Sequence, residues 1–308
     1  MPTNFLINIV GPTAIGKTAL AIKLAQYFNT EIISADSRQF FKEMRIGTAV
    51  PDAEELAAAP HHFIQHISIE EDYSVGDFEK DAMAKIEELF LRKNIAIMVG
   101  GSGLYTRSIT EGLDDFPEVD PEIRENLNTF LEKEGIQVLQ QELKDLDPDY
   151  YKKVDLENPH RLIRALEICL GTGETYSSFL NQAKTKRNFH TISIGLTAER
   201  AIIYERINLR VEKMMQAGLM EEARQLYPKR HLNALKTVGY KELFQYFEEK
   251  ISIEEAVAEI QKNTRRFAKR QLTWFRKDNS IQWFDIAEPL EQIIVYAEKE
   301  IKEKVDSK

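Results

Sequence analysis

Short apolar runs alternate along this chain with segments whose apolar residues recur every three to four positions. The runs at 5–10, 31–35, 95–99 and 190–196 read as strands, and the periodic stretches at 17–28, 74–92 and 198–217 read as amphipathic helices. Such an alternation predicts an α/β fold: a parallel sheet with helices on both faces. The rhythm fails over 112–187. No strand pattern occurs there, and short amphipathic helices are punctuated by Asp120-Pro121, Asp147-Pro148, Asn158-Pro159 and Gly171-Thr172-Gly173. We therefore expect a core domain of residues 1–111 and 188–308, ending in a helical C-terminal region, with an all-helical insertion at 112–187.

The chemistry starts where the first strand ends. Gly11-Pro12-Thr13-Ala14-Ile15-Gly16-Lys17-Thr18 fits the P-loop pattern G-x-x-x-x-G-K-[ST] between a strand and a helix. Glycines let consecutive N–H groups turn toward phosphate oxygens, and the helix N-terminus adds partial positive charge. Lys17 supplies a cation and the Thr18 hydroxyl a ligand for Mg²⁺, so the loop predicts a bound polyphosphate. The parts that accompany NTP hydrolysis are missing. No Asn-Lys-x-Asp base reader occurs, and the strand at 95–99 runs into Gly100-Gly101 rather than an acid. A transferase gripping a diphosphate or triphosphate fits better than an ATPase or GTPase.

Asp36-Ser37-Arg38-Gln39 follows the second strand, at the sheet edge where a doubly wound fold places its ligand crevice. Asp36 suits a general base and Gln39 an adenine reader; a helix-capping Asp explains the same spacing equally well. The turn Gly100-Gly101-Ser102-Gly103 belongs to the same edge and would close the site from a second side. On the helix beginning near 198, Arg206, Arg210 and Lys213 share a face. That face reads as a solvated surface or as a clamp on a leaving diphosphate.

Composition adds a partner. The chain has 308 residues, is 43% hydrophobic and carries a net charge of −9, which excludes a uniformly cationic nucleic-acid binder. Yet Lys262, Arg265, Arg266, Lys269, Arg270, Arg276 and Lys277 fall within roughly 140° of one another on a helical wheel, with Ile260, Phe267, Trp274 and Phe275 opposite. An unbroken cationic face predicts docking to nucleic-acid phosphates, because only the local field acts within a Debye length. His160, Arg161 and Arg164 offer a smaller positive site. The lone Cys169 excludes an intramolecular disulfide and a cysteine zinc cluster, and sits in an apolar stripe with Leu162, Ile163 and Leu166. His61, His62 and His66 lack a metal-site spacing. With no apolar run near the roughly 18 residues of a membrane span, a cytoplasmic, monomeric protein without membrane contact is expected.

In order, GPTAIGKT, ISADSRQFF, IGTAVP, HHFI, IMVGGSGLY, NPHRLIRALEI, VGYKE and RRFAKRQLTWFRK resemble the bacterial tRNA isopentenyltransferase family over residues 11–277. The resemblance implies transfer of a dimethylallyl group from dimethylallyl diphosphate to N6 of the adenosine 3′ of the anticodon, in tRNAs reading codons that begin with U. By it, Asp36 is the base, Thr13, Ala14, Ile15, Gly16, Lys17 and Thr18 (with Gly11) hold the diphosphate and Mg²⁺, and Arg210 and Arg206 clamp it. Ser102 is implied at the catalytic centre. Asp36, Ser37, Arg38, Gln39, Ser102, Arg124, the stretch His160, Arg161, Leu162, Ile163 and Arg164, and the helix bearing Arg265, Arg266, Lys269 and Arg270 are implied to contact the tRNA anticodon stem-loop. Val50, Ser102 and Phe41 depart from the family's frequent Lys, Thr and Tyr. A nucleotide kinase or an adenylate isopentenyltransferase would share the loop; the cationic helix argues against both.

Overall fold

A computed structural model describes residues 3–180 and 186–306. β1 (Phe5–Val10), buried along its whole length, leads into α1 (Lys17–Tyr27). Next come β2 (Ile32–Ser34), α2 (Ala53–Ala58), the short β3 (His61–His62), α3 (Val75–Phe90), β4 (Ile95–Val99) and α4 (Gly103–Thr110). A helical segment holds α5 (Pro121–Glu134), α6 (Ile136–Leu146), α7 (Pro148–Tyr151) and α8 (Pro159–Thr172). The chain then forms β5 (His190–Thr197), α9 (Arg200–Gln216), α10 (Leu219–Leu226), α11 (Tyr240–Phe247), α12 (Ile253–Phe275), β6 (Gln282–Asp285) and α13 (Leu290–Asp306).

The strands form one parallel sheet in the order β3-β2-β4-β1-β5-β6. Its register brings three chemistry-bearing turns together: Ile9 pairs with Val99, and Val99 with Ser34, so the turns after β1, β4 and β2 leave the same edge side by side. Alternation along β1 covers both faces. Phe5, Ile7 and Ile9 join the core that holds Leu20, Leu24, Ile293 and Ala297 of α1 and α13, while Leu6 packs with Phe78, Ile86 and Ile109 of α3 and α4. A further core joins α9 to α12 through Val211, Leu219, Tyr240, Leu243 and Ile260.

β3 and β6 were not expected. Each is an edge strand too short for an apolar run, so its pairing comes from the sheet it completes.

The chain divides into two compact units, one formed by residues up to Glu111 with those from Arg187 on, the other Gly112–Lys186. In the second, Leu127, Leu139, Leu143, Leu162, Ile163 and Leu166 pack α5, α6 and α8 together. Its X-Pro dipeptides are helix starts: Asp120, Asp147 and Asn158 accept hydrogen bonds from backbone N–H groups of the first turn, with proline just inside each helix. Cys169 is 5% exposed, and burial pushes its thiol above the usual value, the behaviour of a packing residue.

Candidate active site at the carboxyl edge of the sheet

The loop from Gly11 to Thr18 leaves β1 with Gly11 at φ 144°, Ala14 at 64° and Gly16 at 107°. A Cβ on Gly11 would lie 2.7 Å from the Leu196 carbonyl oxygen, so only glycine allows the loop to pass this close to β5. Lys17 Nζ donates to the Pro12 carbonyl at 2.8 Å, which curls its side chain back over the loop. Its pKa falls to about 8, first through burial and then through Arg210, with Asp36 opposing the fall.

Two arginines of α9 reach this loop. Arg206 Nε donates to the Ala14 carbonyl at 2.8 Å and Arg210 Nη1 to Thr13 Oγ1 at 3.2 Å. Burial and the neighbouring Arg206 hold the Arg210 pKa below its ordinary value. Three cations crowded at one loop, with Asp36 as the main charge opposing them, mark a site shaped for an anion.

The turn after β4 packs close to that after β2: a Cβ on Gly100 would meet the Ala35 carbonyl oxygen at 2.4 Å. Ser102 Oγ accepts the Ser37 N–H at 3.1 Å and lies 3.1 Å from Ser37 Oγ. Ser102 thus presents its hydroxyl to the turn that carries Asp36. Asp36 Oδ1 accepts the Arg38 N–H at 3.1 Å, which aims the carboxylate without consuming it. Arg38 donates from Nη1 to the Ala234 carbonyl at 3.2 Å, and burial lowers its pKa, Asp36 opposing. Gln39 differs from a free adenine reader. Its Nε2 donates to the Ala49 and Thr48 carbonyls at 2.8 and 3.3 Å, so a base would have to exchange for those bonds.

Two features were not anticipated from sequence. Gln271 of α12, 6% exposed, accepts the Thr13 N–H at Oε1 and donates from Nε2 to the Gly101 carbonyl, both at 2.8 Å. The available signal was its place on the helical wheel, opposite the cations. The second is Glu222, which accepts the N–H groups of Arg45, Ile46 and Gly47 at 3.0, 2.8 and 2.9 Å and the Tyr240 hydroxyl at 2.6 Å. Gly47 meets the Tyr240 ring so closely that a Cβ would lie 2.6 Å from it. The stretches IGTAVP and VGYKE contain Ile46, Gly47 and Tyr240, whereas Glu222 lies in neither, and no periodicity links them.

On α12, Arg266, Lys269 and Arg270 are exposed. With Thr273, Trp274 and Lys277 they line a groove of ≈ 430 Å³. Arg265 departs from the outward stripe: its Nη1 donates to Asn208 Oδ1 of α9 at 2.7 Å. Trp274 also departs from the expected inward face, being 40% exposed, while Ile260 and Phe275 are buried. Its indole lies where a Cβ on Gly103 would stand 2.2 Å from Nε1, so the glycine makes room for it beside α4.

The second unit carries Arg124, which donates from Nη2 to Glu167 at 2.6 Å, and Arg164, 3.4 Å from the same carboxylate. His160 and Arg161 are exposed. Leu162 and Ile163 are corrected here: at 0% and 3% exposure they belong to this unit's core, because α8 turns them inward between the exposed His160 and Arg161 and the partly exposed Arg164. Their side chains make no surface for a nucleic acid. Among the described residues, no group of three or more His, Cys, Asp or Glu is placed to hold a metal. Nor is any described helix long and apolar enough to cross a membrane.

A parallel sheet whose central strand runs into this glycine-lysine loop defines a P-loop α/β protein. The chain belongs to the IPP transferase family, whose sequence profile matches residues 39–278. It is 67% identical to the tRNA dimethylallyltransferase of Christiangramia forsetii over 299 residues, 97% of this chain and 99% of that one. The tRNA dimethylallyltransferase of Flavobacterium johnsoniae is 56% identical over 308 residues, covering 98% and 100%. Among solved structures, the full-length tRNA isopentenylpyrophosphate transferase of Bacillus halodurans superposes with a TM-score of 0.74 at 36% identity, over 99% of both chains. A eukaryotic dimethylallyltransferase acting on tRNA gives 0.78 at 28% identity, over 93% of this chain and 75% of that one.

Proposed function

We propose that this enzyme transfers the dimethylallyl group of dimethylallyl diphosphate to N6 of the adenosine 3′-adjacent to the anticodon, in tRNAs reading codons that begin with U. The observation that carries the reading is the convergence, at one sheet edge, of a cation-lined phosphate loop with a carboxylate-bearing turn. In the reaction the N6–C1 bond forms, the C1–O bond to diphosphate breaks, and the N6 proton passes to the Asp36 carboxylate. An adenine amine is a poor nucleophile, so proton removal as the bond forms lowers the barrier. Lys17, Arg206 and Arg210 neutralise the charge on departing diphosphate, which is where electrostatic stabilisation acts. The Asp36 carboxylate is drawn toward the same cations, and Ser102 holds its turn in place through Ser37.

The residues present fit Mg²⁺, which commonly takes few protein ligands and several substrate phosphate oxygens. The Thr18 hydroxyl, partly exposed at the start of α1, is the ligand offered. When bound, the ion would add positive charge to the diphosphate. The tRNA anticodon stem-loop is assigned to the α12 groove and the turn at 36–39, with the enzyme acting as a monomer in the cytosol.

Incubating the protein with unmodified tRNA and dimethylallyl diphosphate, then digesting and analysing nucleosides by mass spectrometry, tests this reading. N6-dimethylallyladenosine at the position 3′ of the anticodon is expected. Vigorous tRNA-stimulated ATP hydrolysis without prenylated adenosine would overturn it, and prenylation of free AMP alone would make the nucleotide the substrate.

A further inference from the structure

We infer that Gln271 is a positioning residue that ties the phosphate loop to the second glycine turn, setting the width of the diphosphate site; this rests on the transfer reading above. A primary amide donates and accepts from one rigid plane, and Gln271 uses both ends. One end holds the Thr13 N–H and the other the Gly101 carbonyl, 258 and 170 residues away in the chain. The tie is buried, so these bonds face little competition from water.

Three observations join the tie to the chemistry rather than to packing alone. The loops it links leave the adjacent strands β1 and β4. Thr13 is held a second time, through its hydroxyl, by Arg210. Gly101 must lack a side chain for the tie to form, since a Cβ there would lie 2.3 Å from Gln271 Nε2; Lys17 Nζ stands 3.8 Å from that same point. The amide therefore lies beside the lysine that meets the diphosphate. An apolar residue at 271 would fill the space and leave Thr13 and Gly101 free to move apart. Misplacing a phosphate-binding loop by a fraction of an ångström is expensive in turnover.

The test compares wild type with Gln271→Met, which keeps length and volume but breaks both bonds, and with Gly101→Ala, whose Cβ pushes the amide away. Calorimetry with inorganic pyrophosphate and Mg²⁺, and kcat and KM for dimethylallyl diphosphate, are the readouts. Expected are about tenfold weaker pyrophosphate binding and a fall of about 10–100-fold in kcat/KM, with tRNA affinity within about threefold. Because both substitutions break one tie, the double variant should be little worse than either single one. Gln271→Asn, neutral and polar but one methylene shorter, cannot reach both partners, so it carries the same comparison should the methionine variant fail to fold. Pyrophosphate affinity and kcat/KM near wild type in these variants, or fully additive losses in the double variant, would overturn the tie. A wild-type protein that binds pyrophosphate and transfers nothing would remove the transfer reading alone, since pyrophosphate binding still tests the tie.

Discussion

Arg210 Nη1 donates to Thr13 Oγ1 at 3.2 Å, joining residues 197 apart in the chain, and this contact holds a second cation at the loop that carries Lys17. Arg210 is one of the two influences that lower the Lys17 pKa to about 8, after burial. A bound diphosphate offsets both by adding negative charge, so the Lys17 pKa is expected to rise on binding.

The sign of the pH effect follows. Below about pH 8 Lys17 is already protonated and binding takes up no proton; above it, binding must supply one. Affinity for pyrophosphate should therefore fall as pH rises through about 8. Calorimetry in buffers of different ionisation enthalpy should show proton uptake in that window, and pH-independent affinity up to pH 10 would refute it.

Asp36→Asn keeps an acceptor for the Arg38 N–H but cannot take the N6 proton. Turnover should drop by about 10²–10⁴ while tRNA affinity stays within a few fold. Single-turnover rates and filter binding measure the two. Near-normal turnover would make Asp36 only a turn-forming residue.

Neutralising Arg266, Lys269 and Arg270 together should flatten the dependence of log K on log salt for tRNA by about 2–3 units, at roughly 0.7–0.9 per lost phosphate contact. Arg265→Gln should change the slope less, because its guanidinium is engaged by Asn208. An unchanged slope in the triple variant would leave the groove a solvated face and favour a free nucleotide as acceptor.

Glu222 collects three backbone N–H groups and the Tyr240 hydroxyl. Glu222→Ala strands these donors and should cost about 3 kcal/mol or more in thermal or denaturant unfolding, whereas Tyr240→Phe should cost about 1 kcal/mol. Turnover should fall in the first variant as well, because the loop it secures continues to the Ala49 carbonyl that holds Gln39.

A stacked adenosine cannot present N6 to the sheet edge, so it should leave the stack on binding. Replacing it with 2-aminopurine should give a fluorescence rise when the protein is added. A flat signal at saturation would argue against extrusion.

Local pattern determined the strands and the first loop. β1 is apolar but for the buried Asn8, because helices cover both its faces, and Gly11, Gly16 and Lys17 fall in one motif eight residues long, so motif and strand were legible together. The cationic face of α12 was legible for the same reason: charge of one sign repeats along one helix. What lay beyond reach was anything made by elements distant in sequence. β3 and β6 exist through their neighbours in the sheet, Leu162 and Ile163 fell inward because α8 packs on α5 and α6, and Arg265 turned to α9. Gln271 shows the division most clearly. The wheel placed it on the buried side of α12, but only the folded chain brought Thr13 and Gly101 to opposite ends of its amide, because a hydrogen bond is decided by position to a few tenths of an ångström and sequence period constrains only the face.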